Sequence, residues 1–198
     1  MWKAGVFLLA LIPLARLVAG VLAFPEWLGA NPAEFISRST GDWALRILLL
    51  TLAITPLRKL SGRAWLLQFR RMLGLFTFFY AVIHFASYIA FDHVFELDAI
   101  LKDIIKRPFI TVGFACLVLM LPLALTSANA MIRWLGARRW RALHRLIYVI
   151  GPLAVLHFWW MVKRDITEPA IYAIVLALLL GYRLKKFLEG RTMQQASG

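Results

Sequence analysis

The chain has 198 residues, 62% of them hydrophobic and 17% charged, with a mean hydropathy of +0.74. Soluble domains run about 45–50% apolar and about 25% charged, so a disordered chain, a disulfide scaffold and an ordinary soluble globule are excluded. The net charge of +13 would suggest nucleic acid in a soluble protein, but these bases punctuate apolar runs and so point to a membrane surface. A single cysteine, Cys116, allows no internal disulfide and no cysteine metal site.

Six apolar stretches follow in chain order, at about 4–24, 43–57, 72–91, 109–126, 142–162 and 166–182. Lipid admits no unsatisfied backbone, and no period-2 alternation speaks for a barrel, so all six are predicted to be transmembrane helices. The first stretch follows Lys3 and superficially resembles a signal peptide. Arg16 interrupts it and no clean small-residue cleavage site follows, so it reads as helix 1. The third, Met72–Phe91, holds no formal charge over a length close to the ~20 residues that cross a bilayer core. The second and sixth are shorter and need snorkelling flanks to span. The expectation is an all-α integral membrane protein, one domain over 1–198, built as a six-helix transmembrane bundle.

Charge sets the orientation. With a cytoplasmic N-terminus, the inner segments hold Lys3; Arg58, Lys59, Arg63, Arg70 and Arg71; Arg133, Arg138, Arg139, Arg141 and Arg145; and Arg183, Lys185, Lys186 and Arg191. The outer loops hold Arg38, Lys102, Lys106, Arg107, Lys163 and Arg164, and Arg16 and Arg46 remain inside spans. Such a bias predicts that both termini are cytoplasmic. Every acid except Glu189 falls on the outer side, in agreement.

An ionisable group within a span is expensive and is a functional candidate by default. His84 lies ~18 Å along helix 3 and His157 ~22 Å along helix 5, at 1.5 Å per residue. Both helices run outward, so two histidines stand at similar depth on different helices and can clamp a haem iron from both faces. Tyr80, His84 and Tyr88 follow the i, i+4, i+8 rule, with Phe76 and Phe91 beside them, as the flat apolar wall of a porphyrin slot. The competing reading has each histidine bonded to a backbone carbonyl on a neighbouring helix. His144, at the inner end of helix 5, is a candidate for a second haem or for an anionic cofactor. Gly151-Pro152 lies between it and His157 and offers a kink, but helix 3 has Arg70 and Arg71 where a partner histidine would stand. Arg16 and Arg46 are candidates for haem propionates, with snorkelling as their alternative. His93, beside Asp92, reads as a solvated loop residue. Trp159 and Trp160 read as an outer aromatic belt.

No GxGxxG, P-loop or HExxH motif is present, so an electron-transfer role requires separate donors and acceptors. The segments LLLTLAITPLRKL, RRMLGLFTFFYAVIHFASY, KRPFITVG, LALTSANAMIRWLG and RRWRALHRLIYVIGPLAVLHFWWMVK resemble the MsrQ (YedZ) family over about residues 25–187. ANPAEFISRSTGDWALR resembles that family's helix 1–2 loop. The wider group is the ferric-reductase-like transmembrane domain.

The resemblance implies a haem-binding, non-catalytic subunit of a bacterial inner-membrane methionine sulfoxide reductase system. It implies electron transfer from a cytoplasmic donor through haem b to periplasmic, molybdopterin-dependent MsrP, which repairs oxidised proteins. It also implies FMN, for which no motif gives a place. Carried over, His84, His144 and His157 are the haem-associated histidines. One haem is expected and a second is open, because helix 3 supplies one histidine within its span. A flavin reductase is one donor and quinol the other, the latter fitting a quinol-oxidising haem b anchor of another enzyme. A transporter or scaffold with structural histidines is the alternative from another class.

Overall fold

A computed structural model describes residues 2–162 and 164–196, so Lys163, counted above among the outer bases, lies outside the described residues. Among the described residues there is no strand. The helices are α1 (Trp2–Leu22), α2 (Pro32–Ser61), α3 (Leu67–Asp92), α4 (Leu97–Lys106), α5 (Pro108–Leu125), α6 (Asn129–Leu143), α7 (Ile147–Met161) and α8 (Thr167–Ala196). Short 3-10 turns occupy Pro25–Leu28, Ala64–Leu66 and His144–Leu146.

Four helical stretches are apolar and long enough to cross a membrane: Trp2–Leu22, Ala64–Asp92, Pro108–Leu125 and Asn129–Met161. α2 and α8 have 30 residues each but carry charged ends. Large apolar side chains cover the outside of the bundle, among them Leu8, Ile12, Leu50, Val82, Val118 and Leu178. Soluble monomers do not expose such a surface, and it suits lipid contact.

Three elements differ from the expectation. α2 begins at Pro32, so most of the segment read as an outer loop is helix. Asn31 is its N-cap, accepting the Glu34 N–H at 3.2 Å while Glu34 accepts from the Asn31 amide at 3.1 Å, and Pro32 fits the first turn because its missing N–H would be unpaired there anyway. The outer segment before α5 forms α4, whose Ile100 and Asp103 are buried while Leu97, Leu101 and Ile105 are exposed. The stretch read as helix 5 is composite. α6 bends at Gly136, where φ is 74° and ψ 149°, and α7 starts only after the 3-10 turn at His144–Leu146.

α2 is the central element. Leu45, Leu48, Leu49 and Leu52 face a core shared with α5, α7 and α8 through Met120, Ile150, Val155 and Leu176, and Cys116 is packed there too. Ile47 and Ile54 face a second core with Phe69, Leu73, Phe76 and Tyr80 of α3. Gly151 lets Leu176 of α8 approach, since a Cβ there would meet its Cδ1 at 3.2 Å. α7 continues through Pro152 to Met161.

Contacts gather the helix ends into two groups. Trp2 stacks on Trp65 at 6.2 Å, Arg71 bonds Ser127 and Asn129, and Trp140 donates to the Thr126 carbonyl at 2.9 Å. Arg58, Arg63, Arg70, Arg71 and the arginines of α6 belong to this basic end. Tyr88, Asp103, Asp42 and Tyr172 belong to the opposite, acidic end.

A proline inside a helix strands the carbonyl one turn back, and at Pro56 a side chain answers it. Pro56 has no N–H for the Leu52 carbonyl one turn back, and the Arg183 guanidinium of α8 donates to it instead. Arg183→Met should therefore leave that carbonyl unpaired and cost about 1–3 kcal/mol. In a Pro56→Ala background the carbonyl regains a helical N–H, and the same change should cost about 1 kcal/mol less. Unfolding of the four variants in detergent measures the coupling.

Candidate functional site

His84 of α3 and His157 of α7 come together, with ring centroids 6.2 Å apart and ring planes inclined at 70°. They stand eight residues before Asp92 and four before Met161, or ~12 Å and ~6 Å from their helix ends at the acidic side.

Each ring is held by the helix preceding its own in the packing. His84 Nδ1 lies 2.9 Å from the Ser37 carbonyl oxygen on α2, which also accepts the hydroxyl of fully buried Thr40 at 2.9 Å. His157 Nδ1 lies 2.7 Å from the Phe109 carbonyl oxygen on α5. A carbonyl only accepts, so both Nδ1 atoms carry the proton and donate. Both Nε2 atoms then keep a lone pair, the state in which imidazole binds a metal. A metal-bound histidine commonly donates its other ring N–H to such a carbonyl.

The two expectations offered for these histidines are thus compatible, because the carbonyl bond leaves Nε2 free. Two imidazoles bonded through Nε2 to one metal at about 2 Å each have ring centres roughly 6 Å apart. The observed pair matches that spacing, and its donor set fits haem iron.

The remaining candidates lie elsewhere. His144 caps α6 at the basic end, half-buried, with Nδ1 3.1 Å from the Trp140 carbonyl and its ring stacked on Trp140 at 3.9 Å. Arg46 Nε donates to the Tyr172 hydroxyl at 2.8 Å, its guanidinium lies 3.8 Å from Asp42, and it sits over Trp43. The propionate contact expected of Arg46 would compete with these partners. Arg16 is exposed on α1 and has no ion-pair partner among the described residues.

The aromatic stripe of α3 does not form one wall. The Tyr80 hydroxyl enters the backbone ladder of α1, donating to the Ala10 carbonyl at 2.7 Å and accepting the Leu14 N–H at 3.2 Å. Phe76 packs on Phe7, also of α1. Tyr88 turns instead to α4 and donates to Asp103 Oδ2 at 2.9 Å. Eight residues at 100° each return to a direction about 80° from the start, enough to send Tyr80 and Tyr88 to different neighbours.

His93 is not a solvated loop residue. It is largely buried, with Nε2 3.0 Å from Asp103 Oδ2, and Arg107 Nε pairs with Asp103 Oδ1 at 2.7 Å. Asp103, 9% exposed, thus gathers three partners one helical turn beyond His84. Sequence reasoning missed this cluster, although Ile100 and Asp103 at i, i+3 share a face of a short amphipathic helix. It also missed Gly41 and Gly113, which lie against the two histidine rings. Their signal was helix-interior glycine, which is costly unless something must come close.

The family described as "Ferric reductase like transmembrane component" matches residues 40–155, which include His84 and His144 and stop just before His157. The protein-methionine-sulfoxide reductase heme-binding subunit MsrQ of Herminiimonas arsenicoxydans is 53% identical over 184 residues, 92% of this chain and 84% of the relative. The protein of that name from Ralstonia nicotianae is 55% identical over the same shares. That of Azospira oryzae is 51% identical over 183 residues, 92% of this chain and 78% of the relative. No solved structure matches significantly.

Asp103→Asn should remove the charge that draws Arg107 and His93 together and loosen α4 by about 1–3 kcal/mol. Amide exchange across 97–106 should speed up, while α2 and α3 stay protected.

Proposed function

The chain belongs to the MsrQ family of heme-binding subunits, within the ferric-reductase-like transmembrane group, and from that premise we propose that it carries electrons across a bacterial inner membrane to a periplasmic methionine sulfoxide reductase, MsrP. The observation that carries the reading is the His84–His157 pair, 6.2 Å apart with both Nδ1 protons spent on carbonyls. In this proposal α1, α2, α3, α5, α7 and α8 cross the membrane, giving six spans with both termini in the cytoplasm. The charge division supports it, because the basic end then faces the cytoplasm.

Haem b, when bound, supplies a one-electron carrier. His84 and His157 would hold its iron through Nε2 in this reading, and their neighbours on α2 and α5 fix the tautomer that leaves Nε2 available. Their place near the acidic end puts the ligand pair on the side of the periplasmic, molybdopterin-dependent acceptor. His144, stacked on Trp140 and separated from the pair by ~20 Å of helix rise, is not its third ligand. We assign His144 to the basic end's own chemistry, together with Arg70, which is close enough to bear on both His144 and Arg183. Among the described residues no acid forms an ion pair with Arg70 or Arg183, and the group suits the anionic phosphate of FMN.

The donor in this reading is a cytoplasmic flavin reductase. Arg133, Arg138, Arg139 and Arg141 are exposed along α6, a surface that suits an acidic partner.

Two measurements test the proposal. Purified protein from haem-replete cells should show the reduced-minus-oxidised spectrum of a low-spin b-type haem, and His84→Ala or His157→Ala should abolish it. A colourless wild type, or a folded His84→Ala protein with an unchanged spectrum, would overturn the assignment. Reduction by a flavin reductase should slow when Arg138 and Arg139 become Ser at low salt. The difference should vanish at high salt, since exposed charges are screened beyond ~8–10 Å at physiological ionic strength. Equal rates at every salt concentration would remove these arginines from the donor surface.

A further inference from the structure

The contacts around His84 and His157 repeat. Ser37 accepts from His84, and four residues later on α2 stands Gly41. A Cβ at Gly41 would lie 3.1 Å from His84 Cε1, 3.2 Å from Nδ1 and 3.5 Å from Nε2. Phe109 accepts from His157, and four residues later on α5 stands Gly113. A Cβ at Gly113 would lie 2.7 Å from His157 Cε1, 2.8 Å from Nδ1 and 3.1 Å from Nε2. One helical turn thus supplies a carbonyl at its start and a bare backbone at its end, and the imidazole is seated across both. α2 serves α3 in this way, and α5 serves α7.

The Cβ tether and the Nδ1 hydrogen bond hold each ring, but a carbonyl accepts over a broad range of directions and leaves the plane some tilt. The backbone against its edge removes that freedom. The carbonyl fixes where Nδ1 points and the glycine fixes the tilt of the plane. A side chain at Gly113 would force the His157 ring to move, because its Cβ would meet ring atoms under 3.0 Å, and one at Gly41 would press the His84 ring by a few tenths of an ångström. The cost of a helical glycine, about 1 kcal/mol against alanine, is accepted twice at the same place relative to a histidine.

We propose that Gly41 and Gly113 are positioning residues, each setting the plane of one histidine so that the two imidazoles meet a shared metal at the near-perpendicular angle seen in the structure. The inference rests on the haem ligation proposed above and adds the orientation of its ligands. Crossed imidazole planes leave the iron d orbitals nearly degenerate, which gives a strongly anisotropic low-spin ferric signal. Parallel planes split them and give a rhombic one.

The experiment is low-temperature electron paramagnetic resonance of the full-length ferric protein, paired with haem titration of the apoprotein. Wild type should give the strongly anisotropic signal. Gly113→Ala should shift it toward the rhombic form or to high spin through loss of His157, and weaken haem binding about tenfold. Gly41→Ala, with its roomier contacts, should shift the signal in the same direction but less, and it carries the test if Gly113→Ala does not fold. Gly20→Ala is the control, because its Cβ would crowd Leu28 at 2.8 Å, away from the histidines. It should lower stability and leave the signal unchanged.

A rhombic wild-type signal overturns the proposal, as do glycine variants with wild-type signal and haem affinity. A wild type that binds no haem overturns the functional reading instead, and the proposal falls with it.

Discussion

A polar group inside an apolar slab has to find its partner within the protein, and that constraint organises this structure. Water is not available to a carbonyl or an imidazole buried between helices, so each one either joins two elements or goes unpaired at a cost of about 1–3 kcal/mol. The Leu52 carbonyl left by Pro56 draws Arg183 across from α8. The Tyr80 hydroxyl sits between Leu14 and Ala10 and ties α3 to α1. The same need brings the Nδ1 atoms of His84 and His157 to carbonyls on α2 and α5. Helix association in lipid gains little from apolar contact alone, so these few polar links carry much of the specificity.

What the sequence made legible follows from the same physics. A histidine in an apolar run stands out because it is expensive there, and counting 1.5 Å per residue was enough to place His84 and His157 at one depth. Their meeting across two helices needed the fold. An apolar scan starts α2 too late because Glu34, Arg38 and Asp42 hide its first turns, although Asn31, Pro32 and Glu34 spell its start. His93 looks solvated in the sequence because its partner Asp103 belongs to a ten-residue helix in a charged segment, and nothing local to His93 announces it. The split between Tyr80 and Tyr88 could have been read from the drift of the α-helix away from a four-residue repeat.

Charge and site are separated along the bundle. The exposed arginines of α6 and the Arg70, Arg183 and His144 group occupy one end, while the histidine pair and the Asp103 cluster occupy the other. A cation-rich end sets topology and offers a docking surface. The neutral, backbone-bonded environment of His84 and His157 preserves metal-binding lone pairs.

The deeper regularity is that two hairpins supply the same part. In the first, α2 turns at Gly62, where φ is 70°, and a short 3-10 turn leads into α3. In the second, α5 reaches α7 only after the whole of α6. The connections differ in length, charge and shape, yet each hairpin presents a carbonyl, a glycine four residues on, and a histidine from the returning helix. The angle between the imidazoles is therefore a property of how one hairpin lies against the other. Beside the core that α2 shares with α5 and α7, that contact runs along α3 and α5, where Phe85, next to His84, packs on Phe114, next to Gly113, with ring centroids 5.5 Å apart. The aromatic seam and the ligand pair lie side by side, so the packing that joins the hairpins also fixes the distance between their histidines. Side chains in a close-packed core have few alternative arrangements, and this one is braced at both rings and at the seam between them.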